Sequence, residues 1–226
     1  MRKPVVDYRK FRLHKLNDPQ FSHLWLLLSW VGYFAFYFLT ENLIPAENCR
    51  PVHCFLDDII PFCEVFIIPY VFWYALIVIS LGWFLLYDVE SFKKLQTYII
   101  ITQIVAMACY ILIPTRQDLR PEVFPRENVF TGIVAALYAF DTRTGVCPSL
   151  HVAYSLGIAS TWLKMKDVSR LWKAFVTVAV FFICISVAFV KQHSVADIFA
   201  ALPVGLLAEA IVFGSWWKER LLQNRS

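Results

Sequence analysis

Long runs of apolar residues without charge recur along the whole chain, and they constrain the fold more than any other feature. A helix needs about 20 mostly apolar residues to cross the roughly 30 Å hydrocarbon core of a bilayer. Six runs approach or reach this length, at 24–39, 65–87, 97–113, 148–163, 174–190 and 196–217. We therefore expect an all-α, polytopic membrane protein built as a six-transmembrane-helix bundle.

The composition supports a membrane protein and excludes other classes. Hydrophobic residues make up 59% of the 226 residues and charged residues 17%, against roughly 45–50% and about 25% in soluble domains. Such a composition argues against a disordered chain and against a small disulfide-stapled module. The net charge of +4 is too small to indicate nucleic-acid binding.

The distribution of basic residues predicts the orientation in the membrane, because Lys and Arg are retained in cytoplasmic segments. In a six-span arrangement, fifteen of the 21 Lys and Arg residues fall in the two tails and in the loops on the same side. We therefore predict a basic cytoplasmic tail at 1–23, a membrane domain at 24–217 and a cytoplasmic tail at 218–226. The first tail is expected to be solvated, or to lie on the inner leaflet as an interfacial helix.

The fourth run is short and begins with polar residues, so hydropathy alone leaves it doubtful. An even number of spans is needed to place both tails on one side, and the run at 148–163 supplies the sixth span. Its polar start meets the segments 114–121 and 191–197 at the outer face. Ionisable residues at a membrane boundary are costly and are functional candidates.

His193 and Asp197 are four residues apart, which places both side chains on one face of a helix. The carboxylate can then hold one ring nitrogen of the histidine and raise the basicity of the other, as in an activated nucleophile. The alternative is a polar pair at a helix start that is only hydrogen-bonded at the interface. That alternative is the commoner one for an isolated motif of this kind.

The start of the fourth run has the features of an anion site. Pro148 suits the first turn of a helix, whose free N–H groups and dipole attract negative charge. Ser149 adds a hydroxyl donor and His151 a titratable proton, although a capped helix with a satisfied interfacial histidine has the same sequence. Three cations on the same side are candidates for binding phosphate: Arg116, Arg120 and Lys191. Together with His193 and Asp197, these groups are the parts that phosphoryl transfer requires.

These motifs resemble the type 2 phosphatidic acid phosphatase superfamily of six-span lipid phosphatases and phosphotransferases. The family pattern is K-x6-R-P, then P-S-G-H, then S-R-x5-H-x3-D. Residues 120–121 match the end of the first motif, and 148–151 match the second with Leu in place of Gly. Ser186, His193 and Asp197 match the third. The resemblance extends from the third span to the sixth.

Two cations of the family pattern are absent, since Ile113 and Val187 stand where Lys and Arg are expected. Arg116 and Lys191 are the candidates to replace them. The P-S-L-H and K-Q-H-x3-D motifs are closer to the branch that contains inositol phosphorylceramide synthases. The acceptor therefore stays open between water, in a phosphatase, and a lipid or polyol hydroxyl, in a transferase.

The resemblance implies a mechanism without metal or cofactor. His193 would attack the phosphorus of a phosphorylated membrane lipid at the outer leaflet of the plasma membrane, with Asp197 orienting it. His151 would protonate the departing oxygen. Zinc held by the same three side chains is an alternative, but no Cys/His cluster or H-E-x-x-H motif supports it. A protein that binds or transports lipid headgroups without chemistry is a further alternative.

Several other polar residues have weaker expectations. Glu209, in the middle of the sixth span, is expected to hydrogen-bond another helix or to line a lipid entrance. Asp57 and Asp58, in the first outer loop, are expected to be solvated. Cys49 and Cys54 share that loop, where a disulfide is chemically permitted, but spacing alone does not establish one.

Overall fold

The computed structural model describes residues 3–223, and these form eight α-helices and one pair of short strands. The helices are α1 (Leu28–Leu43), α2 (Phe55–Ile59), α3 (Ile67–Tyr87), α4 (Val89–Leu112), α5 (Val129–Phe140), α6 (Leu150–Lys164), α7 (Arg170–Phe189) and α8 (Val195–Gln223). The strands β1 (Arg50–Pro51) and β2 (Thr115–Arg116) pair in parallel and join two outer loops. The outermost residues of both predicted tails, 1–2 and 224–226, lie outside the described residues.

The prediction of a helical membrane protein is confirmed. Within the described part of the chain, five segments are long and apolar enough to cross a bilayer: Ser22–Leu43, Glu64–Tyr87, Val89–Leu112, Arg170–Phe189 and Val195–Arg220. The fourth predicted run becomes α6, whose 15 residues extend about 22 Å, less than the thickness of a bilayer core. The count of six spans therefore stays a prediction.

Helix α6 lies at the centre of the bundle, packed against α4, α7 and α8. Small residues allow this close approach. A Cβ atom at Gly157 would lie 2.4 Å from Tyr98 Cδ1, and one at Gly205 would lie 2.9 Å from Tyr98 Oη. The Tyr98 hydroxyl also donates to the Gly205 carbonyl at 2.9 Å. Glycine at both positions therefore lets α4, α6 and α8 meet, as small residues do in membrane bundles.

Large apolar side chains cover the outside of the bundle. On α1, for example, Val31, Phe36 and Phe38 are each more than half exposed. Contiguous exposed apolar surface of this kind would be an aggregation hazard in water. In a bilayer the same surface contacts lipid, so the exposure pattern agrees with the membrane assignment.

Helix α5 was not predicted and lies in the long segment between α4 and α6. Asn128 begins it, because its side chain accepts hydrogen bonds from the N–H groups of Phe130 and Thr131 while the Thr131 hydroxyl accepts from the Asn128 N–H. This reciprocal arrangement is a capping box. The helix has 12 residues, too few to cross a bilayer, and its end places Tyr138 and the following loop against Arg120.

The N-terminal segment is neither fully solvated nor one continuous helix. Val5 N–H donates to the Leu86 carbonyl at 2.9 Å, and the Tyr8 hydroxyl donates to the Leu85 carbonyl at 2.8 Å. Val6 and Phe21 are buried. The expectation of a wholly solvated tail is therefore wrong for these residues, which pack against the C-terminal end of α3.

Candidate functional site

A cavity of about 620 Å³ lies between α1, α3 and α6, and two histidines line it. His151 is on the first turn of α6, and His193 is in the loop before α8. Their ring centroids are 5.9 Å apart. The close packing of α6 on α8 thus brings together two histidines that are 42 positions apart in the chain.

Asp197 contacts the His193 ring at Nδ1. Its Oδ2 atom lies 3.3 Å from His193 Nδ1 and also accepts a hydrogen bond from Ser194 N–H at 3.0 Å. Asp197 is fully buried. The contact engages Nδ1 and leaves Nε2 as the ring nitrogen that is available to a ligand, which is the arrangement of an oriented nucleophile.

Aromatic rings hold His151 on both sides. Its ring stacks on Trp73 at 3.9 Å and on Tyr70 at 4.4 Å between centroids, with interplanar angles of 26° and 28°. Its Nε2 atom has no hydrogen-bond partner among the described residues, although the side chain is about nine-tenths buried. Buried polar atoms are almost always paired, so this atom indicates a place for a ligand.

Ser149 precedes α6 and is also buried without a partner for its hydroxyl among the described residues. Its N–H donates to the Asp197 carbonyl at 3.2 Å, which links the start of α6 to α8. Helix α6 therefore begins beside the His193–Asp197 pair, with the N–H groups of its first turn directed towards its N-terminal end.

Arg120 organises a loop instead of lining the cavity. Its guanidinium donates to the carbonyls of Tyr138, Asp141 and Thr142 at 2.7–3.1 Å and to Gln192 Oε1 at 3.0 Å. Burial lowers the pKa of Arg120 from its ordinary value, but an arginine stays charged in proteins. Its positive charge is therefore near the site, while its donors are used by the protein.

The structure does not bring Arg116 to the histidines. Its Nη1 atom donates to the carbonyls of Ala46 and Cys49, and its Nε atom pairs with Asp118 at 2.9 Å. The side chain therefore fastens the loop after α1 to strand β2. The predicted replacement of a missing family cation by Arg116 gains no support from this geometry.

Lys191 is likewise used by the protein. Its Nζ atom donates to the carbonyls of Asp57 and Ile60 at 2.8 and 2.6 Å. Burial lowers the pKa of the Lys191 amine. The residue does not line the cavity, so the structure gives it the task of joining the first outer loop to the His193 loop, in place of the predicted contact with phosphate.

Asp141 is a site residue that the sequence reasoning missed. It lines the cavity, and its carboxylate accepts hydrogen bonds from the Tyr37 hydroxyl and from Gln192 Nε2, each at 3.0 Å. Burial raises the pKa of Asp141, while the bond from Tyr37 and the charges of His193 and Arg120 act in the opposite direction. The one signal for this contact in the sequence is Gln192, which directly precedes His193 and donates to Asp141.

The expectation that Asp57 is solvated is wrong. Only 5% of the residue is exposed, because its carboxylate accepts from Ser194 Oγ at 2.5 Å, from Val195 N–H at 2.8 Å and from Cys54 N–H at 2.8 Å. It thus caps the first turn of α8. Burial alone would raise the pKa of Asp57, but these hydrogen bonds outweigh it and lower the pKa.

The cavity continues along the bundle as an apolar cleft. On α1 its lining recurs at helical spacing, with Trp30, Tyr33, Phe34 and Tyr37, and on α3 the stripe runs from Trp73 to Leu85. Twelve residues of helix cover about 18 Å. A Cβ atom added at Gly82, within the α3 stripe, would meet nothing within 4 Å. The cleft is therefore open well into the depth of the bundle.

The described residues contain no group of three or more His, Cys, Asp and Glu side chains that could hold a metal ion. Metal independence itself stays a prediction.

All six cysteines are free thiols, so Cys49 and Cys54 are not bonded to each other.

The chain matches no known protein-family profile, no curated protein and no solved structure.

Proposed function

We propose that the protein is an integral membrane lipid phosphatase, which hydrolyses a lipid phosphate or diphosphate without a metal ion and through a phosphohistidine at His193. One observation carries the proposal. His193, held by Asp197, and His151, with an unpartnered Nε2, line one cavity with their rings 5.9 Å apart. That separation is short enough for both side chains to reach one phosphoryl ester in the cavity.

The two histidines have complementary tasks in this reaction. His193 Nε2 attacks phosphorus as the bond from phosphorus to the leaving oxygen breaks, and His151 donates a proton to that oxygen. Water then attacks the phosphohistidine, the nitrogen–phosphorus bond breaks, and His151 takes the proton of the water. Phosphate leaves, and both histidines return to their starting states.

The negative charge of the phosphoryl group would be met mainly by neutral donors. The Ser149 hydroxyl and the N–H groups of the first turn of α6 lie beside the histidines, and helix N-termini bind anions in this way. Arg120 contributes its charge from behind the loop that it organises. This arrangement supports a reaction in which chelators leave activity unchanged.

The apolar cleft between α1 and α3 supports a lipid substrate. Its lining is aromatic and aliphatic from the histidines to Leu27 and Leu85 at the other end, so an acyl or prenyl chain would lie along it with the phosphate at His193. The same apolar lining favours the second candidate, phosphotransfer to a lipid or polyol hydroxyl, because it limits access by water.

The proposed orientation has six spans, with both tails in the cytoplasm and the cavity at the extracytoplasmic face of the plasma membrane. The fifteen-to-six division of basic residues supports it. In a background whose six native cysteines are replaced by serine or alanine, Lys3→Cys is expected to react with a membrane-impermeant reagent only after permeabilisation, as is Arg225→Cys, which lies outside the described residues. Labelling of either in intact cells would contradict the orientation.

Phosphate release by the purified protein from a panel of lipid phosphates tests the function. We expect release that persists in EDTA and is inhibited by vanadate, a mimic of five-coordinate phosphorus. Added acceptor alcohols separate the two candidates, because a transferase would form a new phosphoester in place of free phosphate. Loss of activity in chelator with recovery on zinc would contradict the mechanism, and binding without any turnover would indicate a headgroup-binding or transport protein.

A further inference from the structure

The charge of the cavity differs from what a phosphate alone would require. Its described lining contains the carboxylate of Asp141 but no lysine or arginine. A substrate that brought only negative charge would therefore meet an anionic side chain within the cavity. This placement favours a phosphorylated ligand that also carries a positive charge over one that carries only negative charge.

The Asp141 carboxylate is held in position but is not neutralised by an ion pair with lysine or arginine. Tyr37 and Gln192 each donate one hydrogen bond to it. Arg120 donates to the main-chain carbonyl of Asp141, and no described lysine or arginine pairs with the carboxylate itself. Each carboxylate oxygen thus keeps acceptor capacity for a group that enters the cavity.

Aromatic rings surround the same part of the cavity. Tyr33, Tyr37, Trp73 and Tyr74 all line it. The rings of Tyr33 and Tyr37 are 5.9 Å apart at 30°, and those of Trp73 and Tyr74 are 4.9 Å apart at 76°. Of these, Tyr37 contacts Asp141 directly through its hydroxyl. Aromatic faces together with a carboxylate are the usual recognition set for an ammonium group.

A second carboxylate lies next to the cavity. Thr142 and Thr144 line the cavity, and both hydroxyls donate to Glu41 at the end of α1. Glu41 is therefore held beside the same loop that carries Asp141. Two unpaired donors, His151 Nε2 when protonated and Trp73 Nε1, remain on the side where the phosphate would bind.

We infer that Asp141 and the surrounding tyrosines form a subsite for a cationic amine, so that the preferred ligand is a phosphorylated lipid that also carries an ammonium group. The inference rests on the proposed function for the position of the phosphate, between His151 and His193. The amine would lie against Asp141, and the lipid chain would follow the cleft. Tyr37 and Gln192 are positioning residues that hold the carboxylate.

A pair of probes that differ only in charge tests the subsite. Hexadecylphosphocholine carries a quaternary nitrogen, and hexadecyl 3,3-dimethylbutyl phosphate has carbon in its place. Binding to the full-length His193→Ala protein, followed by tryptophan fluorescence, avoids any turnover. We expect the choline ester to bind about 30-fold more tightly, the ratio that about 2 kcal/mol of desolvated cation–aromatic and charge interaction provides.

Variants in the same background assign that ratio to particular residues. Asp141→Asn should bring it close to one, and Tyr37→Phe, which removes only one hydrogen bond to the carboxylate, should reduce it less. Glu122→Gln changes an exposed carboxylate outside the cavity and should leave the ratio unchanged. If Asp141→Asn does not elute as a folded protein, the Tyr37→Phe ratio decides the same question.

Equal affinity for the two probes, or an unchanged ratio in the Asp141 and Tyr37 variants, would overturn the subsite. An equal loss of affinity for both probes would also overturn it, because that result indicates a structural role. The outcome is separable from the proposed function. Tighter binding of the choline ester without turnover of any lipid would support the subsite and contradict the phosphatase proposal. Turnover together with equal affinity for the two probes would support the phosphatase and contradict the subsite.

Discussion

The two ends of the bundle both bury polar groups near the membrane boundary, but they differ in how those groups are paired. At one end, Lys164 Nζ donates to Glu209 at 2.6 Å and to Ser160 at 2.5 Å. Ser160 and Trp217 also donate to Glu209. The prediction that Glu209 hydrogen-bonds another helix is confirmed, since it joins α8 to α6. These charged and hydroxyl groups all have protein partners.

At the end that carries His151 and His193, several polar atoms have no partner. His151 Nε2, Trp73 Nε1 and Ser149 Oγ are buried without partners in the described part of the chain, and two of these residues line the large cavity. Buried polar groups that all have hydrogen-bond partners stabilise the fold. A buried polar atom without a partner in the protein can form a hydrogen bond to a ligand instead. The comparison teaches that a buried ionisable residue can be fully paired within the protein, as Glu209 is, or can keep an unpartnered atom that a ligand could use, as His151 does.

Matched substitutions at the two ends test this comparison with the largest expected effect. His193→Ala removes the nucleophile, so activity should fall to less than about one ten-thousandth on every substrate. Glu209→Gln leaves Lys164 partly buried without its carboxylate and should lower the free energy of unfolding by about 2 kcal/mol, with activity at low temperature unchanged. Activity assays and thermal unfolding check both, and an inactive but stable Glu209→Gln protein would break the comparison.

The next largest effect depends on the substrate. A general acid contributes about 10²- to 10⁴-fold, and its contribution shrinks when the leaving group departs easily as an anion. His151→Ala should therefore lose activity in this range on an alkyl lipid phosphate and retain much more on p-nitrophenyl phosphate. Equal losses on the two substrates would remove the case for His151 as the acid.

Asp57 offers a third test, because it acts on the nucleophile through the start of α8. In Asp57→Asn, the hydrogen bonds from Ser194 and Val195 are weakened, so the loop that carries His193 shifts. A displacement of about 1 Å costs up to about 10²-fold in rate. We expect a fall in kcat that is equal for alkyl and aryl substrates, unlike that of His151→Ala. Asp58→Asn, an exposed neighbour paired with His53, is the control and should retain full activity.

The same residue predicts a pH dependence of stability. Hydrogen bonds hold the pKa of Asp57 below its ordinary value, which is about 3.9 in an unfolded chain. Its contribution to stability is therefore complete above that value and is lost as the pH falls through the folded pKa. The difference in Tm between the native protein and Asp57→Asn should narrow in acid, and a constant difference would contradict the assignment.

The smallest expected effect is a change in KM when the apolar cleft is partly filled. A leucine at Gly82 fits without a clash at its Cβ but fills part of the cleft. Gly82→Leu should raise KM several-fold for a long-chain lipid phosphate and leave p-nitrophenyl phosphate unaffected. Gly214→Leu, which also meets nothing within 4 Å and lies outside the cavity, should change neither. A similar loss on both substrates would contradict a chain-binding cleft.

Hydropathy and motif spacing predicted much of this arrangement. Apolar runs identified the membrane helices because lipid requires long uncharged segments, and the i, i+4 spacing brought His193 to Asp197. Helix α5 was missed because its 12 residues are too short to register as a span. Tail burial at Val6 and Phe21 depends on contacts with α3, which no local pattern reveals.

The contacts of two predicted phosphate-binding cations and of two carboxylates could not be predicted from the sequence. Arg116 and Lys191 lie in the predicted loops, but their donors go to main-chain carbonyls, a choice that depends on the path of distant loops. Asp57 accepts a hydrogen bond from Ser194, which is 137 positions away in the sequence, and Asp141 accepts one from Gln192, which is 51 positions away. Local spacing carries no information on such contacts, so the carboxylates that shape the site emerged only from the fold.

Trapping of the covalent intermediate tests the central claim most directly. Native protein mixed with a lipid labelled with ³²P in its phosphate and quenched within milliseconds should carry label that is acid-labile and alkali-stable, as phosphohistidine is, and peptide mapping should place it at His193. His151→Ala should form the same species more slowly with an alkyl substrate. Label at another residue, label trapped in His193→Ala, or turnover by native protein with no covalent species would contradict the account.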